Sequence, residues 1–295
     1  MRARLTGKKA APYLFLLPFM VVFVLFHVYP MVYGVVISFY RFRGLQDRTF
    51  VGLANFARLF DDARFYQTFW NTTYYTVGTL LILIPIPLIL AALLKSKLCK
   101  GSAFYQTMTF MPALTSLVVV GAVFRLVLME QGGLLNNFLG LFGIAPLKWT
   151  NSAPLVIPSL LIVAFWRWTG INIIYFLSGL TTIPEELYQA AAIDGADGFK
   201  RFWYVTLPLL RPVALFVLII STIGGYQLFT EVYVLWNQGG TPGNAGLTLA
   251  LYLYRQAFSS FDLGYAAAIG VVMGLIIMVL SLIQFRFFGF FRDVE

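Results

Sequence analysis

Charge is scarce in this chain. Only 11% of its residues are Asp, Glu, Lys or Arg, whereas a soluble domain carries about 25%. An ordinary water-soluble globule is thereby excluded. Cysteine is nearly absent: with Cys99 alone, no internal disulfide can form. His27 is the single histidine, and no aspartate pair lies in the apolar runs, so there is no metal or nucleophile cluster for an intramembrane enzyme. No Gly-x-x-x-x-Gly-Lys-Ser/Thr phosphate loop occurs either, so the chain does not itself hydrolyse ATP. Arg125, Arg167 and Glu231 are too thin a set of intramembrane charges for an ion relay.

What remains is mostly apolar: 60% hydrophobic residues and a mean hydropathy of +0.81. A helix needs about 20 apolar residues to cross about 30 Å of hydrocarbon. Six stretches qualify, near 13–40, 70–94, 104–128, 154–180, 208–231 and 265–288. Each satisfies its own backbone in lipid only as a helix, so the expected fold is an all-α integral membrane protein with six transmembrane helices. Pro30, Pro85, Pro87, Pro112 and Pro158 are read as kinks within spans rather than breaks. The run after MRARLTGKKA is too long for a signal-peptide core of about 7–15 residues, and no small-residue cleavage site follows promptly. It is read as an uncleaved first span.

The net charge of +9 follows membrane topology rather than nucleic acid, because the basic residues flank apolar spans. Loops on the N-terminal side hold more Lys and Arg than the others, which orients both termini toward the cytoplasm. The expected layout is a cytoplasmic N-terminus at 1–12, one transmembrane domain at 13–290 and a cytoplasmic tail at 291–295. FVGLANFARLF, in the first external loop, reads as a short amphipathic helix on the outer surface.

Between spans four and five lies a polar cytoplasmic loop, 181–207, far longer than a connector of about 2–8 residues. Thr182 is the expected cap of a helix starting at Pro184. Glu185 and Glu186 in its first turn suit the helix dipole. Asp194-Gly195 stops it, with Gly195 in the left-handed cap. A second short helix follows from Phe199 to about Val205, with Phe199, Phe202 and Trp203 on one face, and Leu207-Pro208 ends it. Ala190, Ala191 and Ala192 leave one surface thin enough for another protein's backbone. The loop either packs on its own bundle or docks a cytoplasmic partner.

Polar residues recur inside the spans, where they face cavities or other helices. The fourth carries Trp166, Arg167, Trp168 and Asn172; the fifth carries Tyr226, Gln227, Thr230 and Glu231. Aromatic faces take the C–H side of a sugar ring, and amides, carboxylates and guanidinium take its hydroxyls. Against this, Trp166 and Trp168 also suit interface anchoring. Arg167 also suits snorkelling or pairing with Glu231. Asn71, Thr72 and Thr73 suit interhelical hydrogen bonding.

The loop resembles the EAA segment of ABC-importer permeases. Gln189-Ala190-Ala191, Gly195, Val205 and Leu207-Pro208 keep every spacing of that pattern, although Gln189 stands where glutamate is usual. YLFLLPFMVVFVLFHVYPMVYGVVISFY, FVGLANFARLF, NTTYYT, GGLLNNFLG, FWRWTGINIIYFLSGL, VLWNQGGTPGNAGLTLALYLYRQAF and FDLGYAAAIG follow in the order of carbohydrate permeases of the maltose and glycerol-3-phosphate type. The resemblance implies half of a sugar pathway, completed by a second permease subunit. It also implies a homodimeric cytoplasmic ATPase, which alone uses ATP and Mg²⁺, and an extracytoplasmic sugar-binding protein. This chain would bind no cofactor of its own. The ATPase would be met by Glu185, Glu186, Gln189, Ala190, Ala191, Asp194, Gly195, Phe199, Phe202, Leu207 and Pro208. Sugar contacts would come from Arg167, Trp168, Ile171, Gly225, Tyr226 and Phe229. The setting implied is a bacterial or archaeal plasma membrane.

Overall fold

The computed structural model describes residues 2–43, 47–96 and 99–288, with side chains for 11–42, 47–96 and 99–288. Residues 291–295, expected to be a cytoplasmic tail, lie outside the described residues. Among the described residues the regular structure is helical apart from one short hairpin. Two compact units are distinguished: Met1–Asp62 with Leu253–Val272, and Ala63–Tyr252 with Met273–Glu295.

In the first unit, α1 (Arg2–Phe23) continues through a π-helical turn at Val24–Val28 into α2 (Tyr29–Ile37). His27 sits in that turn and stacks on Phe23 at 5.4 Å between ring centroids. No residue of the apolar window in Ala11–Ile37 is buried. The strands β1 (Tyr40–Arg43) and β2 (Asp47–Phe50) pair antiparallel, Tyr40 opposite Phe50. The sequence reading ran the first span through Tyr40 and missed this hairpin, because YRFR and DRTF are too short and too charged to show an apolar alternation. FVGLANFARLF yields α3 (Ala54–Asp61). Asn55 fastens it by donating to the carbonyls of Ser38 and Tyr40, at 2.8 and 2.9 Å. Arg58 meets Asp262 at 2.5 Å and lies over the Tyr265 ring, whose hydroxyl donates to Asp62.

In the second unit, α4 (Ala63–Leu83) and α5 (Pro85–Lys95) form one long apolar helix with a joint at Ile84. Then come α6 (Ser102–Leu114), α7 (Leu117–Val127), α8 (Leu134–Gly140) and α9 (Ala153–Thr181). The polar loop forms α10 (Glu185–Ile193), α11 (Gly198–Arg201), a π-helical turn at Phe202–Thr206 and α12 (Leu207–Leu209). It leads into α13 (Arg211–Tyr226) and α14 (Thr230–Leu235). Two further helices, α15 (Leu249–Phe258) and α16 (Leu263–Phe287), run from one unit into the other.

Among the described residues, four helices are long and apolar enough to cross a membrane, and up to six spans result if each bent pair counts as one. Two expected spans are not straight. The stretch 104–128 bends by 100° between α6 and α7, and the entry to span five bends by 66° at Leu210. The expected span 208–231 also ends early, at Tyr226, and Glu231 belongs to the separate α14. Pro112, Pro208 and Pro212 remove backbone donors near these bends, so here proline marks breaks rather than gentle kinks.

The core of this unit is α9, which packs on α4, α5, α6 and α13. Gly170 permits the closest approach: a Cβ there would lie 1.8 Å from the Thr109 carbonyl oxygen of α6. Phe176, Leu180 and Ile173 on α9 are buried with Leu88 and Ala91 of α5.

Candidate functional site

Broken helices leave carbonyls without donors, and inside a bilayer each such orphan is expensive. Three polar side chains meet that need. Pro87 cannot donate to the Leu83 carbonyl, four residues back. The Asn172 Nδ2 of α9 donates to it instead, at 2.8 Å. Arg167 Nη1 donates to Pro112 and Thr115, the carbonyls at the end of α6. Arg125 Nη2 donates to the Val234 carbonyl at the end of α14, with Gly121 one turn earlier admitting the Val234 side chain. Cations at helix C-termini also oppose the negative end of the dipole. Arg167 therefore holds a broken helix in place. No ion pair joins it to Glu231 among the described residues.

A cavity of about 310 Å³ opens where α13 gives way to α14, beside the middle of α9 and the end of α4. Trp168, Ile171, Asn172, Gly225, Gln227 and Glu231 line it, all six being residues singled out in the sequence. The other four lie elsewhere. Trp166 is 43% exposed and packs edge-on against Phe124. Arg167 is engaged with the α6 carbonyls, as above. Tyr226 is only 2% exposed, its hydroxyl 3.1 Å from Thr73 Oγ1. Phe229 stacks on Tyr233. For Arg167 and Tyr226 the physical reason is shared: a polar tip buried in a bundle is taken up by the nearest backbone or hydroxyl.

Thr230, also named in the sequence, lines it too, whereas the sequence reading missed Tyr75, Thr79, Tyr175 and Ser221 as lining. A signal existed for two of them. Thr68, Thr72, Tyr75, Thr76 and Thr79 recur at helical spacing and form the buried stripe of α4, and the far end of that stripe reaches the cavity. Its near end holds the fold together. Thr72 Oγ1 accepts from the Leu249 amide, and Asn71 donates to the carbonyls of Asn244 and Leu247.

The polar loop is built differently. Thr182 does not cap α10: its hydroxyl donates back to Gly179, at the end of α9. Pro184 is the residue preceding the helix, which starts at Glu185. Gly195 takes φ +78°. The amides of Gly195 and Ala196 donate to Ala192 and Ala191, closing the helix with the paired bonds of a Schellman turn. Asp197, not foreseen as a cap, accepts from the Lys200 amide at 2.8 Å. Glu185, Glu186, Gln189, Ala190, Asp194, Gly195 and Phe199 are exposed, whereas Ala191, Phe202, Leu207 and Pro208 are half-buried. Phe202 and Leu207 pack on the α5–α9 core.

Two contacts brace Tyr188 of α10, one within the loop and one from α5. Tyr188 on α10 places its hydroxyl 3.0 Å from Thr206 Oγ1 in the π-helical turn. Lys95 donates to the Leu180 carbonyl at the end of α9 and lies over the Tyr188 ring. Elsewhere on the loop large apolar side chains stand exposed: Ile193 is 87% exposed, Tyr204 79% and Phe199 72%.

The sequence profile of the binding-protein-dependent transport system inner membrane component family matches residues 9–292, and the chain belongs to that family. It is thus a non-catalytic membrane permease subunit. It is 46% identical to the arabinooligosaccharides transport system permease protein AraP of Bacillus subtilis, over 97% of this chain and 91% of that one. It is 39% identical to the lactose transport system permease protein LacF of Rhizobium radiobacter, over 92% of each. Its fold matches a chain of the bacterial alginate ABC transporter solved with an alginate pentasaccharide-bound periplasmic protein. That match has a TM-score of 0.84 and 23% identity, covering 97% of this chain and 96% of that chain.

Proposed function

We propose that this permease forms half of the translocation pathway of an ATP-driven sugar importer. Its substrate is a sugar, an oligosaccharide or a glycerol phosphate, handed over by an extracytoplasmic binding protein. The other half of the pathway is a second, different permease subunit. Force comes from a homodimeric ATPase that binds ATP and Mg²⁺ and grips the segment from Glu185 to Pro208. The chain lies in a bacterial or archaeal plasma membrane with both termini and that segment in the cytoplasm.

One observation carries the coupling role. A charged, water-facing loop leaves Leu187, Ile193, Phe199, Trp203 and Tyr204 exposed, and large apolar groups exposed together on such a surface mark a protein contact. Tyr188 and Thr206 link α10 to the π-helical turn that precedes span five, so a push on α10 reaches α13 through that turn. The aromatic and amide lining of the cavity supports a sugar, as do the arabinooligosaccharide and lactose relatives.

The test is sugar uptake by cells in which the partner ATPase carries an inactivated nucleotide site. Uptake is expected to stop. Uptake that continues on an ion gradient alone would mean a secondary transporter instead.

A further inference from the structure

We propose that the cavity between α9, α4 and the α13–α14 break selects uncharged sugars and rejects phosphorylated or carboxylated ones. This rests on the sugar-import reading and narrows it. Among the described residues lining the cavity, none is Lys, Arg or His, and Glu231 alone carries a charge. The remaining polar groups are the amides of Gln227 and Asn172 and the hydroxyls of Thr79, Ser221 and Thr230, with Trp168, Tyr75 and Tyr175 supplying rings.

Arg167 is the cation that an anionic ligand would seek, and it is not among the residues that line the cavity. Its guanidinium lies over the Trp168 ring, 5.0 Å from the centroid. Nη1 is taken by the Pro112 and Thr115 carbonyls. Nε has no partner, but it is closed to solvent, so a ligand arriving from water does not reach it.

A phosphate or carboxylate in this cavity would lose its hydration and meet Glu231 with no cation among the lining residues to offset either penalty. A neutral sugar faces no such conflict. Glu231 accepts its hydroxyl protons. Gln227 donates and accepts. Asn172, whose Nδ2 is engaged with Leu83, offers its Oδ1. Trp168 and the tyrosines pack on the C–H faces of the ring. At about 310 Å³ the cavity lies at the small end of ligand sites, which span about 300–1,000 Å³. It therefore admits a short piece of an oligosaccharide at a time.

The complete transporter (both permeases and ATPase) in nanodiscs, without binding protein, tests this by saturation-transfer NMR. Lactose and arabinobiose are the neutral probes; sn-glycerol 3-phosphate and galacturonate are the anions. Neutral probes are expected to give signals that Trp168→Ala and Gln227→Leu weaken about tenfold or more. The anions are expected to give none until Glu231→Lys supplies a cation. Co-elution of each variant with its partners confirms assembly. An anion signal in the unaltered protein that Trp168→Ala removes would overturn the proposal. So would neutral signals indifferent to both cavity variants, or no signal from any probe. ATP-driven sugar uptake by the same preparation with binding protein added is read separately. If uptake persists in any of those cases, only the selectivity assigned to this cavity falls; if no sugar is taken up, the import reading itself falls.

Discussion

The cavity and the α10–α12 loop invert each other. The cavity lies within the apolar bundle and gathers a carboxylate, two amides and several hydroxyls. The loop carries Glu185, Glu186, Asp194 and Asp197, yet exposes Ile193, Phe199 and Tyr204. Each violates the preference of its surroundings, and each violation is explained by something the single chain does not contain. Polar groups in lipid fit a hydroxylated ligand, and apolar groups in water fit a protein partner. The exposed residues of Ala11–Ile37 need no such explanation, because lipid is a suitable solvent for them.

The comparison breaks most severely in α9, the helix that supplies Trp168, Ile171 and Asn172 to the cavity. Gly170→Val forces a side chain against the Thr109 backbone, where even a Cβ would sit at 1.8 Å. A loss of about 3 kcal/mol or more is expected, seen as a collapse in membrane abundance and in the thermal stability of the complex. Next is the loop. Gly195→Pro is incompatible with φ +78° and deletes the amide donor to Ala192. It is expected to leave the chain in the membrane while ATPase co-purification is lost; a normal yield of ATPase would count against docking through this segment. Gly195→Ala retains the donor and costs about 1–2 kcal/mol, so it should weaken co-purification without abolishing it.

Asn172→Leu separates structure from recognition. It leaves the Leu83 carbonyl without its donor, at about 1–3 kcal/mol, so stability and sugar response should fall together. The smallest change is Tyr226→Phe. It removes only the contact with Thr73 Oγ1, about 1 kcal/mol, and uptake kinetics should not move. A changed apparent affinity for sugar would return Tyr226 to the ligand site.

The helical spans were legible because about 20 apolar residues in lipid leave little choice of backbone. The turn at Gly195 was legible because Asp194-Gly195 follows a run of good helix formers. The bends were not: proline in a span signals a missing donor, but the angle depends on what fills the vacancy, and Arg167 and Asn172 come from another helix. For the same reason Arg167 looked like a ligand contact. A side chain's type was readable, whereas its partner more than 50 positions away in sequence was not. Thr182 misled through local pattern alone, since a threonine before Ile-Pro-Glu-Glu has the composition of a cap, yet its hydroxyl turns back to the preceding helix. The threonine stripe of α4 was visible as spacing, and only packing shows that one end closes the fold while the other lines the cavity.

The central claim is that the loop and the cavity are two ends of one machine. It is tested most directly by ATP-driven sugar uptake into proteoliposomes containing the complete transporter, with Phe199→Asp in the loop compared with Trp168→Ala in the cavity. The account predicts that both stop uptake for different reasons. Phe199→Asp should lose bound ATPase, whereas Trp168→Ala should retain it and hydrolyse ATP without moving sugar. Full uptake by Phe199→Asp, or uptake by either variant in the absence of ATP, would contradict it.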